Sequence, residues 1–157
     1  MKITLIQVGK TKTVFLQEAE LEYLKRLRPY AEVSVLTLKD WGGLEKTAAI
    51  KKEGEEILEL LAKPQMKGFY LICLDERGKQ PDSREFAGVI RDLRDFKGGK
   101  VCFLVGGSYG LSENVQAKAD LKLAFGKFTF THEMIRTMLF EQVYRAFTII
   151  TGKEYHY

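Results

Sequence analysis

Residues 100–112 read KVCFLVGGSYGLS, and the reading of this stretch decides the fold class. Val101, Cys102, Phe103, Leu104 and Val105 form an uninterrupted apolar run. A run this short and continuous fits a strand covered on both faces. It leads directly into three glycines within five positions, Gly106, Gly107 and Gly110. Glycine costs backbone entropy, so it is kept where φ must be positive or where another group comes close to the main chain. The stretch is a buried strand ending in a turn suited to close approach.

The turn does not read as a phosphate cradle. A P-loop needs GxxxxGK[ST], with a lysine to reach the terminal phosphates. Here Gly110 is followed by Leu111 and Ser112, with no lysine. The dinucleotide fingerprint GxGxxG fails as well, because the spacing is GGxxG and the turn follows the fourth strand instead of the first. A plain glycine turn is the alternative reading of this loop taken alone.

Outward from this stretch, strand and helix patterns alternate. Residues 2–9 (KITLIQVG), 32–38 (EVSVLTL), 69–75 (FYLICLD) and 120–126 (DLKLAFG) read as further strands. Residues 13–27 read as an amphipathic helix, with Phe15, Leu16, Ala19, Tyr23, Leu24 and Leu27 near one stripe. Residues 44–63 read as a charged helix stopped by Pro64. A third helix spans residues 83–96, opened by a capping box of Asp82 and Glu85. A short helix starts at Ser112, and Thr131 caps a long final helix over residues 132–150. This order predicts one α/β domain over residues 1–157, with a mostly parallel sheet flanked by helices. Ligands of such folds bind beyond the carboxyl ends of the strands. Three loops leave those ends, at residues 74–79, 106–111 and 125–131, and they hold Gly78, Gly106, Gly107, Gly110 and Gly126.

Composition narrows the function classes. The chain has 157 residues, a net charge of +4 and two cysteines, Cys73 and Cys102, each inside an apolar run. These read as core thiols in a reducing compartment. No apolar run approaches the ~18 residues of a membrane span, and the start has no signal-peptide pattern. The charge permits a polyanionic partner, but it is modest for tight binding of naked RNA. The final helix is apolar over most of its circumference, through Met134, Ile135, Met138, Leu139, Phe140, Val143, Tyr144, Ala146 and Phe147. Such a helix needs cover on more than one side, and a subunit interface is the preferred source. Arg136 and Arg145 would then sit near that surface and serve a polyanion. The tail Tyr155-His156-Tyr157 combines stacking rings with a group that exchanges protons near neutral pH.

Taken in order, MKITLIQVGK (1–10), LDERGK (74–79), VGGSYGLS (105–112), FTFTHEMIRTMLFEQVYRAF (128–147) and the closing YHY resemble the SPOUT-class methyltransferases. Within that class they resemble the ribosomal RNA large subunit methyltransferase H family, over the whole chain. The resemblance implies a deep trefoil knot near the C-terminus, a homodimer with the final helix in its interface, and S-adenosyl-L-methionine as cofactor. It implies cofactor contacts at Leu74, Gly107, Gly126, Lys127, Phe128, Thr129, Phe130 and Thr131. It implies methylation at N3 of a pseudouridine in helix 69 of 23S rRNA, on the assembled 70S ribosome in the cytoplasm. No metal, membrane or DNA partner is expected. His156 is the candidate for proton handling, Tyr155 for stacking on the base and Arg136 for the ring oxygens or phosphate, with Arg145 and Tyr157 as further RNA contacts. His132 is expected to cap or pack at the helix start. The family tail commonly continues into Lys or Arg where this chain has Tyr157, so that charge is lacking. A non-catalytic ribosome-binding factor of the same fold is the alternative, and a flavodoxin-type nucleotide binder is another.

Overall fold

Alternation of strand and helix is the organising pattern of the fold. The structure is a computed structural model that describes residues 1–155; His156 and Tyr157 lie outside the described residues. The elements are β1 (Lys2–Val8), α1 (Val14–Leu27), β2 (Glu32–Leu38), α2 (Lys46–Leu61), β3 (Tyr70–Lys79) and α3 (Ser83–Phe96). They continue with β4 (Lys100–Val105), α4 (Glu113–Gln116), β5 (Leu121–Leu123) and α5 (His132–Ile150). The five strands form one sheet in the order β2-β1-β4-β3-β5, and every neighbouring pair is parallel.

After their first residues β1 and β4 are buried throughout, because both sheet faces are covered. Ile3, Leu5, Val101 and Phe103 join Leu27 of α1, Phe86 and Ile90 of α3, and Leu139, Val143 and Phe147 of α5. The alternate positions Ile6, Val8, Cys102 and Leu104 face the other way, toward Ile57 of α2, Met66 and Val115. Burial of each such side chain contributes about 1.5–3 kcal/mol. Both thiols are buried, and desolvation pushes each up to about 12, so they behave as apolar filler.

The helix starts follow their side chains. Asp82 accepts from the Arg84 and Glu85 amides while Glu85 accepts from the Asp82 amide, so the capping box is formed. Thr131 Oγ1 accepts from the Met134 amide at 3.2 Å, and Ser112 Oγ accepts from Val115 at 3.4 Å.

Two expectations change, and a third gains detail. Phe15 is 64% exposed, so the inward stripe of α1 consists of Leu16, Tyr23, Leu24 and Leu27 without it. The third strand does not stop near Asp75: β3 runs on to Lys79, with a register shift that pairs both Leu74 and Lys79 with Leu123. Gly78 permits this, because a Cβ there would stand 2.6 Å from the Leu123 amide nitrogen. Finally, one side of α5 belongs to the core of its own chain. It packs on α1, α3 and β4, and Arg136, Leu139, Phe140, Val143, Ala146, Phe147 and Thr148 are all buried within the one chain. These contacts cover one side of the helix, while Met134 and Ile149 stay 36% and 41% exposed on it.

A methyl group at position 78 must displace backbone, and overpacking of this kind costs about 1–3 kcal/mol. Gly78→Ala is expected to lower the urea midpoint accordingly. Gly88→Ala, at an open position inside α3 where a Cβ meets nothing within 4 Å, is expected to leave it unchanged or raise it.

Candidate functional site

The carboxyl ends of β3, β4 and β5 open onto a cleft of about 640 Å³. The three loops singled out by their glycines all contribute to it. Leu74, Gly107, Gly126, Phe128, Thr129, Phe130 and Thr131 line the cleft together, and Lys127 is the one member of the expected set that does not. Loop 125–131 is tied to the end of β3 by Thr129 Oγ1, which donates to Glu76 Oε2 at 3.1 Å.

Backbone forms much of the wall. Gly107 and Gly110 close a tight turn, with the Gly110 amide donating to the Gly107 carbonyl at 3.0 Å. Gly110 has φ +81°, a conformation that L side chains rarely adopt. Gly106 lies so close beneath this turn that a Cβ would stand 2.5 Å from the Gly110 carbonyl carbon. The opposite side is apolar, with Leu123, Phe125 and Ile135. Convergent main-chain groups beside apolar side chains suit a flat, partly polar ligand.

Several lining residues were not singled out from the sequence. Lys46 stands at the start of α2, Asp75 in the middle of β3, and Tyr109 at the tip of the glycine turn. Asp75 accepts from Arg77 through its side chain and amide, and that bonding holds its carboxyl below the usual value. Only tertiary placement brings Lys46 here, and no motif marks it. His132, read as a packing residue, also lines the cleft at the first position of α5.

Arg136 departs most from expectation. It does not present charge at a polyanion-binding surface: it is 0% exposed. Its Nη2 donates to the Val8 carbonyl and its Nη1 to Thr11 Oγ1 at 3.3 Å, and Glu20 faces it electrostatically. Thr11 in turn donates to Glu20 at 2.8 Å. The group is a buried polar strut joining α5 to the end of β1. Glu133 reinforces the junction by accepting from the Lys12 and Thr13 amides at 3.0 and 3.1 Å.

Arg145 and Tyr155 lie elsewhere, along the middle of α5. Arg145 donates to Glu141 through Nε and Nη2 at 2.9 and 2.6 Å, and its guanidinium sits 4.5 Å from the Tyr155 ring centroid. The Tyr155 hydroxyl donates to Glu141 Oε1 at 3.0 Å, and its ring meets Tyr144 edge-on at 5.2 Å. Burial, then Tyr23 and Glu141, push the Tyr155 phenol up. Neither Arg145 nor Tyr155 lines the cleft of its own chain. His156, expected to handle the proton, and Tyr157, expected to contact RNA, lie outside the described residues.

A parallel α/β sheet with glycine-shaped loops converging at its carboxyl edge narrows the class, and comparison with known proteins completes the assignment. The family described as "Predicted SPOUT methyltransferase" matches residues 1–156, and the chain belongs to the SPOUT methyltransferase family. Within that family its relatives are proteins named "Ribosomal RNA large subunit methyltransferase H". The one from Carboxydothermus hydrogenoformans is 42% identical, covering 99% of both chains. That of Clostridium acetobutylicum is 43% identical over the same shares. Among solved structures, a "Probable Methyltransferase from Bordetella pertussis Tohama I" aligns with a TM-score of 0.56 at 16% identity, covering 92% of this chain and 93% of that one. At that identity the likeness speaks to the fold alone.

Burial holds His132 below the ordinary imidazole value, and Arg136 pushes the same way. The folded chain keeps it neutral while the unfolded chain takes up a proton near pH 6.5. Its stabilising contribution is complete above that pH and is lost as the pH falls toward the depressed folded-state value. Urea unfolding between about pH 7 and pH 5 is expected to show falling stability, with a shallower fall in His132→Gln.

Proposed function

We propose that this protein is an S-adenosyl-L-methionine-dependent methyltransferase of large-subunit ribosomal RNA, acting at N3 of a pseudouridine in helix 69 of 23S rRNA on the assembled 70S ribosome. The convergence of the three carboxyl-edge loops on one cleft is the observation that carries the cofactor part of this reading. The names of its relatives support the ribosomal target. The family's fold supports a deep trefoil knot, formed by the segments around the 106–111 and 125–131 loops, and a homodimer.

The residues present fit the cofactor. Leu74, Gly107 and the stretch Gly126 to Thr131 supply apolar contact and main-chain hydrogen-bonding groups, and the bare Cα of Gly107 leaves the turn compact. The bound cofactor supplies a methyl group already activated by its sulfonium, so the protein's task is alignment and proton removal. Holding two reactants in line replaces a large part of the entropic barrier. The N3–H of the target is not nucleophilic, and a positioned base assists its loss. His156 is assigned to that proton and Tyr155 to stacking on the base, with Arg145 and Tyr157 as RNA contacts. Tyr155 sits on the middle of α5 and outside its own cleft, which fits a tail that completes the site of the second subunit. Arg136 acts from beneath as a support and not as a contact.

Calorimetric titration of S-adenosyl-L-methionine into the protein, and methyl transfer to 70S ribosomes, test the reading. Binding with transfer is expected. Co-sedimentation with ribosomes without either would select the non-catalytic alternative. Removing residues 155–157 is expected to abolish transfer and to change cofactor affinity by less than about twofold, since Tyr155 makes no part of the cleft wall. Equal loss of both would place the tail among the structural parts of the cleft.

A further inference from the structure

Among the described residues, Glu53 and Arg136 are the charged side chains in the buried class. Arg136 has an evident structural partner in Val8. Glu53 has no such simple account. It is 3% exposed and falls on the inward stripe of α2, one turn after Ala49 and one turn before Ile57. An apolar residue would fill that position at lower cost, because a buried carboxylate must be desolvated. Its Oε2 has no hydrogen-bond partner.

The carboxylate touches two loops. Oε1 accepts from the Trp41 amide at 3.1 Å. On its other side lies Gly107, where an added Cβ would stand 3.0 Å from Oε2 and 3.2 Å from Oε1. The Trp41 loop is itself pinned. The indole Nε1 donates to Glu56 Oε1 at 2.8 Å, and the Lys39 and Lys52 ammonium groups sit 3.7 and 4.2 Å from the ring centroid. The next residue of α2, Gly54, lies against the Ser112 side chain with no room for a Cβ. Two adjacent positions of one helix therefore seat both ends of the segment that runs from Gly107 to Ser112. Burial raises the Glu53 pKa, Asp40 and Glu56 push the same way, and the Trp41 and Gly107 amides oppose them.

We propose that Glu53 is a positioning residue for the cofactor cleft: its side chain holds the Gly107 turn from behind, at a height set by its reach from the Trp41 loop. The proposal rests on the cofactor reading given above. The required property is length with one acceptor, and the negative charge is incidental. Gln has that length and an acceptor for the Trp41 amide. Asp keeps the charge but is one methylene short.

Calorimetric affinities for S-adenosyl-L-methionine separate the possibilities, measured on the full chain with melting temperatures of the same samples. Glu53→Asp is expected to weaken binding about tenfold, while Glu53→Gln recovers affinity to within about threefold of wild type. With ribosomes as substrate, Glu53→Asp is expected to raise the KM for the cofactor and leave kcat at saturation near wild type. Amide exchange at residues 107–110 should quicken in Glu53→Asp at temperatures where the variant remains folded. Wild-type affinity in Glu53→Asp would overturn the proposal, and so would a Gln variant weaker than the Asp variant. Loss of affinity only in proportion to the unfolded fraction would also overturn it, by reducing Glu53 to a stability residue. Absence of binding in the wild-type protein would instead remove the cofactor reading itself.

Discussion

Main chain presses on main chain at two places on the carboxyl edge of the sheet, and the site depends on both. Gly106 passes beneath the Gly110 carbonyl, and Gly78 passes against the Leu123 amide, each at a separation that leaves no volume for a methyl group. The first contact folds the loop after β4 into a turn compact enough to serve as a wall. The second draws the end of β3 onto β5, so that Glu76 reaches Thr129 and the last loop is held over the cleft. A side chain at either point would spread the edge apart, and three loops distant in sequence would no longer face one another.

Beneath that edge lie the two buried charges found among the described residues, Glu53 and Arg136, on opposite sides of the end of β1. The Val8 side chain lies against Gly107, and the Val8 carbonyl accepts from Arg136. Glu53 meets Gly107 from the α2 side. The glycine turn is thus bounded by a strand end and a helix that are each fixed by polar groups withdrawn from water. Interactions of this kind are expensive to break, because the remaining partner is left charged or unpaired in a low-dielectric interior. Stiffness of the cleft wall is the return on that expense, and a preorganised wall reduces the ordering cost of binding.

The fold was legible from patterns that depend on local chemistry. Continuous apolar runs marked strands covered on both faces, and Asp82, Ser112 and Thr131 marked helix starts through side chains that cap neighbouring amides. Most of the cleft was legible for a related reason, since glycines cluster where strands of an α/β sheet end and where ligands bind. The misses concern what lies across space. The breadth of α5 pointed to cover on more than one side with a partner subunit preferred, and the packing shows the share that α1, α3 and β4 take. Arg136 reads as a surface charge in a list of residues, because nothing local announces that a carbonyl of β1 will meet it. Glu53 did leave a trace, a carboxylate on the stripe between Ala49 and Ile57, but it stands within KKEGEE, where charge looks like a solvated face. Lys46 left none.

The strut from Arg136 to Val8 spans 128 positions of sequence. A chain made from its N-terminus exposes the end of β1 early, and the carbonyl there waits for a partner that is synthesised near the end. Until α5 has emerged, one side of β1 and β4 also lacks the apolar cover that Leu139, Val143 and Phe147 provide. Contacts this distant must overcome a large loop-closure entropy before they contribute any stability. A chain that stops before α5 leaves that face of the sheet without the cover of its last helix. The end of β1 beside the glycine turn is fixed by the strut only once residue 136 is in place.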